Sequence, residues 1–144
     1  MTRKFHMDDC VIAIPDGARD FSMHMLEWPI GDAERLSLVV QRGGPLGTAT
    51  PEELVARETK NYATVFEGFR MERDDVEDGA WEGLVLHHKA FRWKKDADVF
   101  YNHQVYVFEG GRVILFTASS MARHRAEVER LIETVLAELR FRDD

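Results

Sequence analysis

The chain lacks the features that export, anchor or cross-link many small proteins. Cys10 is the single cysteine among its 144 residues, which excludes an intrachain disulfide and a metal site built from several cysteines. No run of about 20 apolar residues occurs, so the sequence predicts no transmembrane helix. The N-terminal stretch MTRKFHMDDC has no apolar core of the kind found in signal peptides. We therefore expect a cytoplasmic protein.

An excess of positive charge is also missing. The chain carries 19 Lys and Arg against 26 Asp and Glu, a formal net charge of −7. This charge repels phosphate groups and anionic headgroups, so neither nucleic acid nor direct insertion into a membrane is expected. The length and the 44% hydrophobic content fit a single domain over residues 1–144.

Sequence motifs of catalysis are absent as well. The glycine-rich stretch 43–47 lacks the Lys-Ser/Thr ending of a phosphate-binding loop. Neither G-x-S-x-G nor H-E-x-x-H occurs in the sequence. We therefore expect no catalytic residues, no cofactor and no bound metal ion, and a protein that is not an enzyme.

A few residues are weak candidates for chemistry, and each has a simpler interpretation. His87 and His88 are adjacent on a predicted strand and point to opposite faces, so they are not expected to share a metal, although His103 could approach one of them across strands. We interpret them as half-exposed strand histidines. The acidic cluster in 74–78 is interpreted as a solvated hairpin tip rather than a calcium site, and Cys10 as a small buried hydrophobe.

What the sequence does contain is a pattern of short strands and two long helices. The first helix is predicted from Thr50, which caps it, to about Phe66, and the second from about Met121 to Leu139 with Ser119 or Ser120 as its cap. The strands are predicted at 3–7, 10–14, 21–28, 35–42, 69–77, 81–93, 98–109 and 112–119, with residues 94–98 as a solvated loop. The order predicts an α+β domain with a mostly antiparallel sheet, which two helices cannot cover completely.

One predicted hairpin is apolar on both of its faces. Met23 and Met25 point to one side of the first strand, while Leu26 and Trp28 point to the other. On the second strand Val39 lies opposite the face shared by Leu36, Leu38 and Val40. Ordinary core or homodimer packing is one explanation of the second face. A groove for a foreign apolar segment is the other, and the adaptability of methionine favours it slightly.

Several segments together resemble a known family. They are CVIAIPDG, SMHMLEWP and SLVVQR in the N-terminal part, then PEELVARE, FEGF at 66–69 and HQVYVFEG at 103–110. They are similar to the DcrB-related family and, within it, to the Eag chaperones of type VI secretion systems. The resemblance implies a Mog1/PsbP-like fold, in which a curved, mostly antiparallel β-sheet is flanked by two main helices.

The same resemblance implies a function without catalysis. Eag chaperones are cytoplasmic, typically dimeric proteins that bind the apolar N-terminal transmembrane segments of secreted PAAR- or Rhs-type toxins and shield them before loading. By this resemblance a client-binding groove is formed by Met23, Met25, Ser37, Val39, Gln41, Glu58 and Gln104. Glu58 stands where relatives can carry an amide.

Two other functions remain open. A Mog1/PsbP-like domain can be a non-catalytic binding module for a different protein partner, as in Mog1-like proteins that bind a small GTPase. An enzyme is the third possibility, and it would need titratable groups that converge on a pocket, for example at His87, His88 or His103.

Overall fold

A computed structural model describes residues 2–6, 11–15, 23–31, 33–42 and 50–141, with side chains from residue 23 onward. Cys10 and the stretch 43–47 lie outside the described residues. The strands are β1 (Thr2–His6), β2 (Val11–Pro15), β3 (Met23–Ile30), β4 (Glu34–Arg42), β5 (Arg70–Asp78), β6 (Leu84–Lys95), β7 (Asp98–Glu109) and β8 (Arg112–Met121). The helices are α1 (Pro51–Thr59), α2 (Tyr62–Val65) and α3 (Arg125–Glu138), the last preceded by a 3₁₀ turn at Ala122–His124.

The strands form an antiparallel six-stranded sheet in the order β3-β4-β8-β7-β6-β5, and β1 pairs separately with β2. This confirms the predicted α+β class. Strand β8 lies between β4 and β7, so the C-terminal strand joins the β3–β4 hairpin to the rest of the sheet. Strands β3 and β5 are the two edges of this sheet.

Each face of the sheet is partly covered by a helix. On one face α3 buries Val128 and Ile132 in a core that includes Val105, Ala118 and Phe116. On the other face α1 inserts Val55, which is completely buried, among Tyr106, Phe108 and Val113. Side chains alternate between the two faces along a strand. Because each face carries a core, the central strands are apolar on both faces. Within the described ranges, no helix has both the length and the apolar composition to cross a bilayer.

The first helix begins as predicted but ends earlier. The Thr50 hydroxyl accepts a hydrogen bond from the Glu53 amide at 3.2 Å, the expected N-terminal cap. The prediction of one helix to Phe66 is wrong, because α1 stops at Thr59 and the chain resumes as the short α2. The break lets Tyr62 and Phe66 turn towards the sheet. The centroids of their rings lie 5.4 and 5.3 Å from the ring centroid of Phe91. Tertiary packing thus overrides local helix periodicity here.

The second helix begins later than predicted. Ser119 and Ser120 belong to β8 and do not cap a helix. Their hydroxyls bond across strands instead, that of Ser120 donating to the Arg35 carbonyl at 2.8 Å. Because the hydroxyls are already used in the sheet, the helix starts only at Arg125, after the 3₁₀ turn.

Several strand ends also differ from the prediction. The segment 94–98 is exposed as predicted, but it is a tight turn rather than a loop, because β6 extends to Lys95 and β7 begins at Asp98. Asp96 adopts a left-handed φ of 57°, a conformation that Asp tolerates better than most residues. Strand β6 starts at Leu84 and not at Trp81, whose indole donates to Glu109 from the preceding connection. Strands β1 and β2 lie within one residue of their predicted positions.

Candidate binding site

The pairing of β3 with β4 brings five of the seven predicted site residues together. Met23 lies opposite Gln41, and Met25 lies opposite Val39. Ser37 is two residues from Val39 and therefore shares its face. We call these five residues, Met23, Met25, Ser37, Val39 and Gln41, the methionine strip. Leu26 pairs with Leu38 on the opposite face, as the alternation in the sequence predicts.

The methionine strip is open to solvent at the edge strand. Met23 and Met25 are 55% and 66% exposed, so they do not belong to the core of this chain. Leu26 and Trp28 are also exposed on the other face of β3. A solvent-exposed pair of methionines beside an exposed leucine and tryptophan is an unusual arrangement for an edge strand, which is commonly protected by charge. The strip therefore remains available for contact with another molecule.

A groove of about 410 Å³ adjoins the strip on the same face of the sheet. Its floor is polar: the hydroxyl oxygens of Ser37 and Ser119 lie 2.8 Å apart, and Asn102 faces Ser119 from β7. Its wall is aromatic, since the rings of Trp93 and Phe100 stack with centroids 4.8 Å apart. The Trp93 indole donates to the Asn102 side-chain oxygen at 3.0 Å and fixes its orientation. Ser37 thus belongs to both the strip and the groove.

Sequence reasoning missed four of these groove residues, Trp93, Phe100, Asn102 and Ser119. The alternation along β7 places Phe100, Asn102 and Gln104 on one face, which was a usable signal. The alternation does not show that β8 lies between β4 and β7. This strand order brings the walls of the groove together.

The other two predicted residues lie apart from the strip. Gln104 is on the same face but two strands away from Val39, across Thr117. It is 7% exposed, and its amide exchanges hydrogen bonds with the Tyr62 hydroxyl of α2 at 3.1–3.2 Å. Glu58 is exposed on α1 near Tyr106. Burial raises the pKa of Tyr106, and Tyr62 and Glu58 add to this rise.

The histidines are arranged differently from the interpretation given for them. His87 and His88 do point to opposite faces, and His103 does approach His88, with ring nitrogens 2.9 Å apart. His88 and His103 are only 2% and 1% exposed, so their interpretation as half-exposed is wrong. They are buried because α3 covers their face of the sheet. Among the described residues, no group of three or more His, Cys, Asp or Glu side chains could hold a metal ion.

The acidic cluster in 74–78 also differs from its interpretation as a hairpin tip. It lies along the edge strand β5, where Asp74 and Glu77 contact basic groups of β6 and Asp75 pairs with Arg73 of β5 itself. Asp74 accepts hydrogen bonds from His87 at 2.8 Å and from Lys89 at 3.2 Å. Burial raises the pKa of Asp74, but the hydrogen bonds from His87 and Lys89 outweigh it, so the pKa lies below its ordinary value.

The antiparallel sheet flanked by helices defines a PsbP-like α+β protein. PsbP (CyanoP) from Synechocystis sp. PCC 6803 superposes with a TM-score of 0.51 at 15% identity, covering 94% of this chain and 89% of that one. LpqN of Mycobacterium tuberculosis, involved in cell envelope biogenesis, superposes with a TM-score of 0.56 at 9% identity, covering 96% of this chain and 88% of that one. PA94 of Pseudomonas aeruginosa, a protein of unknown function and a proposed regulator, superposes with a TM-score of 0.79 at 19% identity, covering 99% of both chains.

The chain belongs to the DcrB family, whose model matches residues 10–138. The expected family and the PsbP-like fold are therefore confirmed. At identities of 9–19% the three structures establish the shared fold alone. No curated protein matches the chain in sequence.

Proposed function

We propose that this protein is a chaperone that binds and shields the apolar N-terminal segment of a type VI secretion effector of the PAAR or Rhs type. The observation that carries the proposal is the exposure of Met23 and Met25 on a regular strand of a DcrB-family fold. The client segment contacts the methionine strip, and the protein has no catalytic role. The sequence resemblance to Eag chaperones supplies the identity of the client.

The energetics of the strip support a role in shielding. Complete burial of a large apolar side chain is worth about 1.5–3 kcal/mol, so covering the exposed two thirds of Met25 contributes about 1–2 kcal/mol. Methionine is unbranched and flexible, so it packs against client helices of different sequence. Ser37 and Gln41 add hydrogen-bonding groups at the margin of the strip, which suit the small polar residues of many transmembrane helices.

The proposal is tested by co-expressing the protein with a PAAR- or Rhs-type effector encoded beside it, followed by affinity purification. We expect a complex that is lost when the apolar N-terminal segment of the effector is deleted. Persistence of the complex after that deletion would indicate a different partner surface. Absence of any complex would favour a binding module for another protein.

Two matched variants locate the contact on the sheet. Met25→Lys places a charge in the methionine strip, and Val76→Lys places the same charge on β5, the opposite edge, at a valine that is 49% exposed. We expect Met25→Lys to weaken client binding at least tenfold, since the lost burial alone is worth about one factor of ten. Val76→Lys should bind like the unaltered protein. Equal binding by both variants would remove the strip from the proposal.

A further inference from the structure

A continuous chain of hydrogen bonds runs through the core on the sheet face opposite the methionine strip. His88 Nε2 lies 2.7 Å from a Glu77 carboxylate oxygen, and His88 Nδ1 lies 2.9 Å from His103 Nε2. His103 Nδ1 in turn lies 2.9 Å from a carboxylate oxygen of Glu129. We call Glu77, His88, His103 and Glu129 the histidine latch. It joins the edge strand β5 to helix α3 across β6 and β7.

The number of hydrogens in the latch follows from its geometry. Each of its three contacts needs one hydrogen, and an ionised carboxylate supplies none. A neutral imidazole carries one N–H hydrogen, so two neutral histidines can make only two of the three bonds. With both histidines neutral, either their facing nitrogens would both be acceptors or a nitrogen would face a carboxylate without a hydrogen. Such a buried mismatch is costly.

We infer that His88 and His103 together carry one additional proton at neutral pH, so that a single buried imidazolium is held between Glu77 and Glu129 and connects β5 to α3. This device lies on the other side of the sheet from the proposed client site and does not depend on it.

The charges of the groups around the latch sum to zero when this proton is present. The charged groups that face it are Glu72, Arg73, Asp75 and Glu77 from β5, Arg92 from β6, and Arg125 and Glu129 from α3. They amount to four carboxylates and three guanidinium groups, and β7 adds only the neutral Tyr101, which donates to Glu129. One imidazolium makes the cluster neutral, whereas two neutral histidines leave it with a net negative charge.

His88 is an unfavourable site for the additional proton. Burial lowers the pKa of His88, and Arg73 and His103 lower it further, although Glu77 opposes them. Burial alone would raise the pKa of Glu129, but hydrogen bonds from His103 and Tyr101 outweigh it and hold the pKa below its ordinary value. Glu129 is therefore an ionised acceptor for His103 Nδ1, and a neutral His88 can accept from His103 Nε2 and donate to Glu77.

The proposal is tested by nitrogen-15 NMR of the imidazole rings in the full chain at pH 7.5. At this pH a free histidine, with a pKa of about 6.5, is about 90% neutral. We expect one ring of the assigned pair His88 and His103 to be protonated at both nitrogens and the other to be neutral. Assignment is needed because His124 also faces the carboxylates of Glu34 and Glu127. A His87→Gln variant, altered at the neighbouring residue on the opposite face, should keep both signals. A spectrum in which His88 and His103 are both neutral would overturn the proposal.

The variant Glu129→Gln provides a more specific test, because it removes the need for the additional proton. An amide can donate to His103 Nδ1, so all three contacts can then be made by two neutral histidines. We expect the doubly protonated signal to disappear at pH 7.5 in this variant. Its persistence would show that Glu129 does not hold the cation and would overturn the proposed arrangement. If this variant fails to fold, the hydrogen count in the unaltered chain still decides the question.

Discussion

Ser37 and Ser119 face each other across β4 and β8 with their hydroxyl oxygens 2.8 Å apart, on the floor of the groove beside the methionine strip. A neutral hydrogen bond of this kind contributes about 0.5–1.5 kcal/mol to the free energy of unfolding. We expect Ser37→Ala and Ser119→Ala each to lower that free energy by about this amount in urea denaturation. The double variant should lose clearly less than the sum of the two, because both single changes remove the same bond. Strict additivity would mean that the hydroxyls do not interact.

A second prediction concerns acid stability. Because the pKa of His88 is lowered in the folded chain, the unfolded chain takes up a proton at this residue at a higher pH than the folded chain does. The contribution of neutral His88 to stability is therefore present above about pH 6.5 and declines as the pH falls below it. We expect the midpoint of urea unfolding to decrease between pH 7 and pH 5. The decrease should be smaller in His88→Gln, and an equal decrease in both proteins would contradict the assignment to His88.

The alternation of side chains along the β3–β4 hairpin was readable from the sequence because it is local. Period-two alternation determines which residues of one strand share a face, so it separates Met23 and Met25 from Leu26 and separates Val39 from Leu38. The family resemblance, and not the alternation, grouped Val39 with the two methionines. The Thr50 cap is similarly local, since its partner Glu53 is three residues away. These features depend on neighbours in the chain, and the sequence shows those neighbours directly.

Features decided by distant residues could not be read in this way. The break between α1 and α2 is explained by packing of Tyr62 and Phe66 on Phe91, which is far away in sequence. Ser119 has the right residue type for a helix cap, yet its hydroxyl bonds to Ser37, 82 residues earlier. The burial of His103 requires α3 to lie over it. The groove was not predicted either, because it depends on the position of β8 between β4 and β7.

A third prediction tests the connection between β5 and β6. A Cβ atom added at Gly79 would lie 2.3 Å from Leu84 Cδ2 and 2.9 Å from its Cβ, and Leu84 is a buried core residue. We expect Gly79→Ala to lower the free energy of unfolding by about 1–3 kcal/mol, because Leu84 must move from its packed position. Gly111→Ala is the matched control, since a Cβ there meets nothing within 4 Å. Thermal unfolding of the two variants should separate them clearly, and similar melting temperatures would argue against the clash.

The last prediction connects stability with the proposed client site. The Gln104 amide is bonded to the Tyr62 hydroxyl and is nearly buried beneath α2, so its access to a client is limited. Tyr62→Phe retains the ring packing and removes the hydroxyl. We expect the free energy of unfolding to fall by about 1–3 kcal/mol, since a buried amide is left unsatisfied. At the same time the released amide should bind the client segment more tightly, as measured by titration with an effector peptide.

Gln104→Met separates the two effects because it removes the amide at similar volume. Combined with Tyr62→Phe it should restore stability, since no unsatisfied amide remains in the core, and it should abolish the gain in client affinity. If the double variant still binds more tightly than the unaltered protein, then movement of α2 and not the Gln104 amide controls access to the client. Tighter binding that depends on Gln104 would instead place this residue in direct contact with the client backbone.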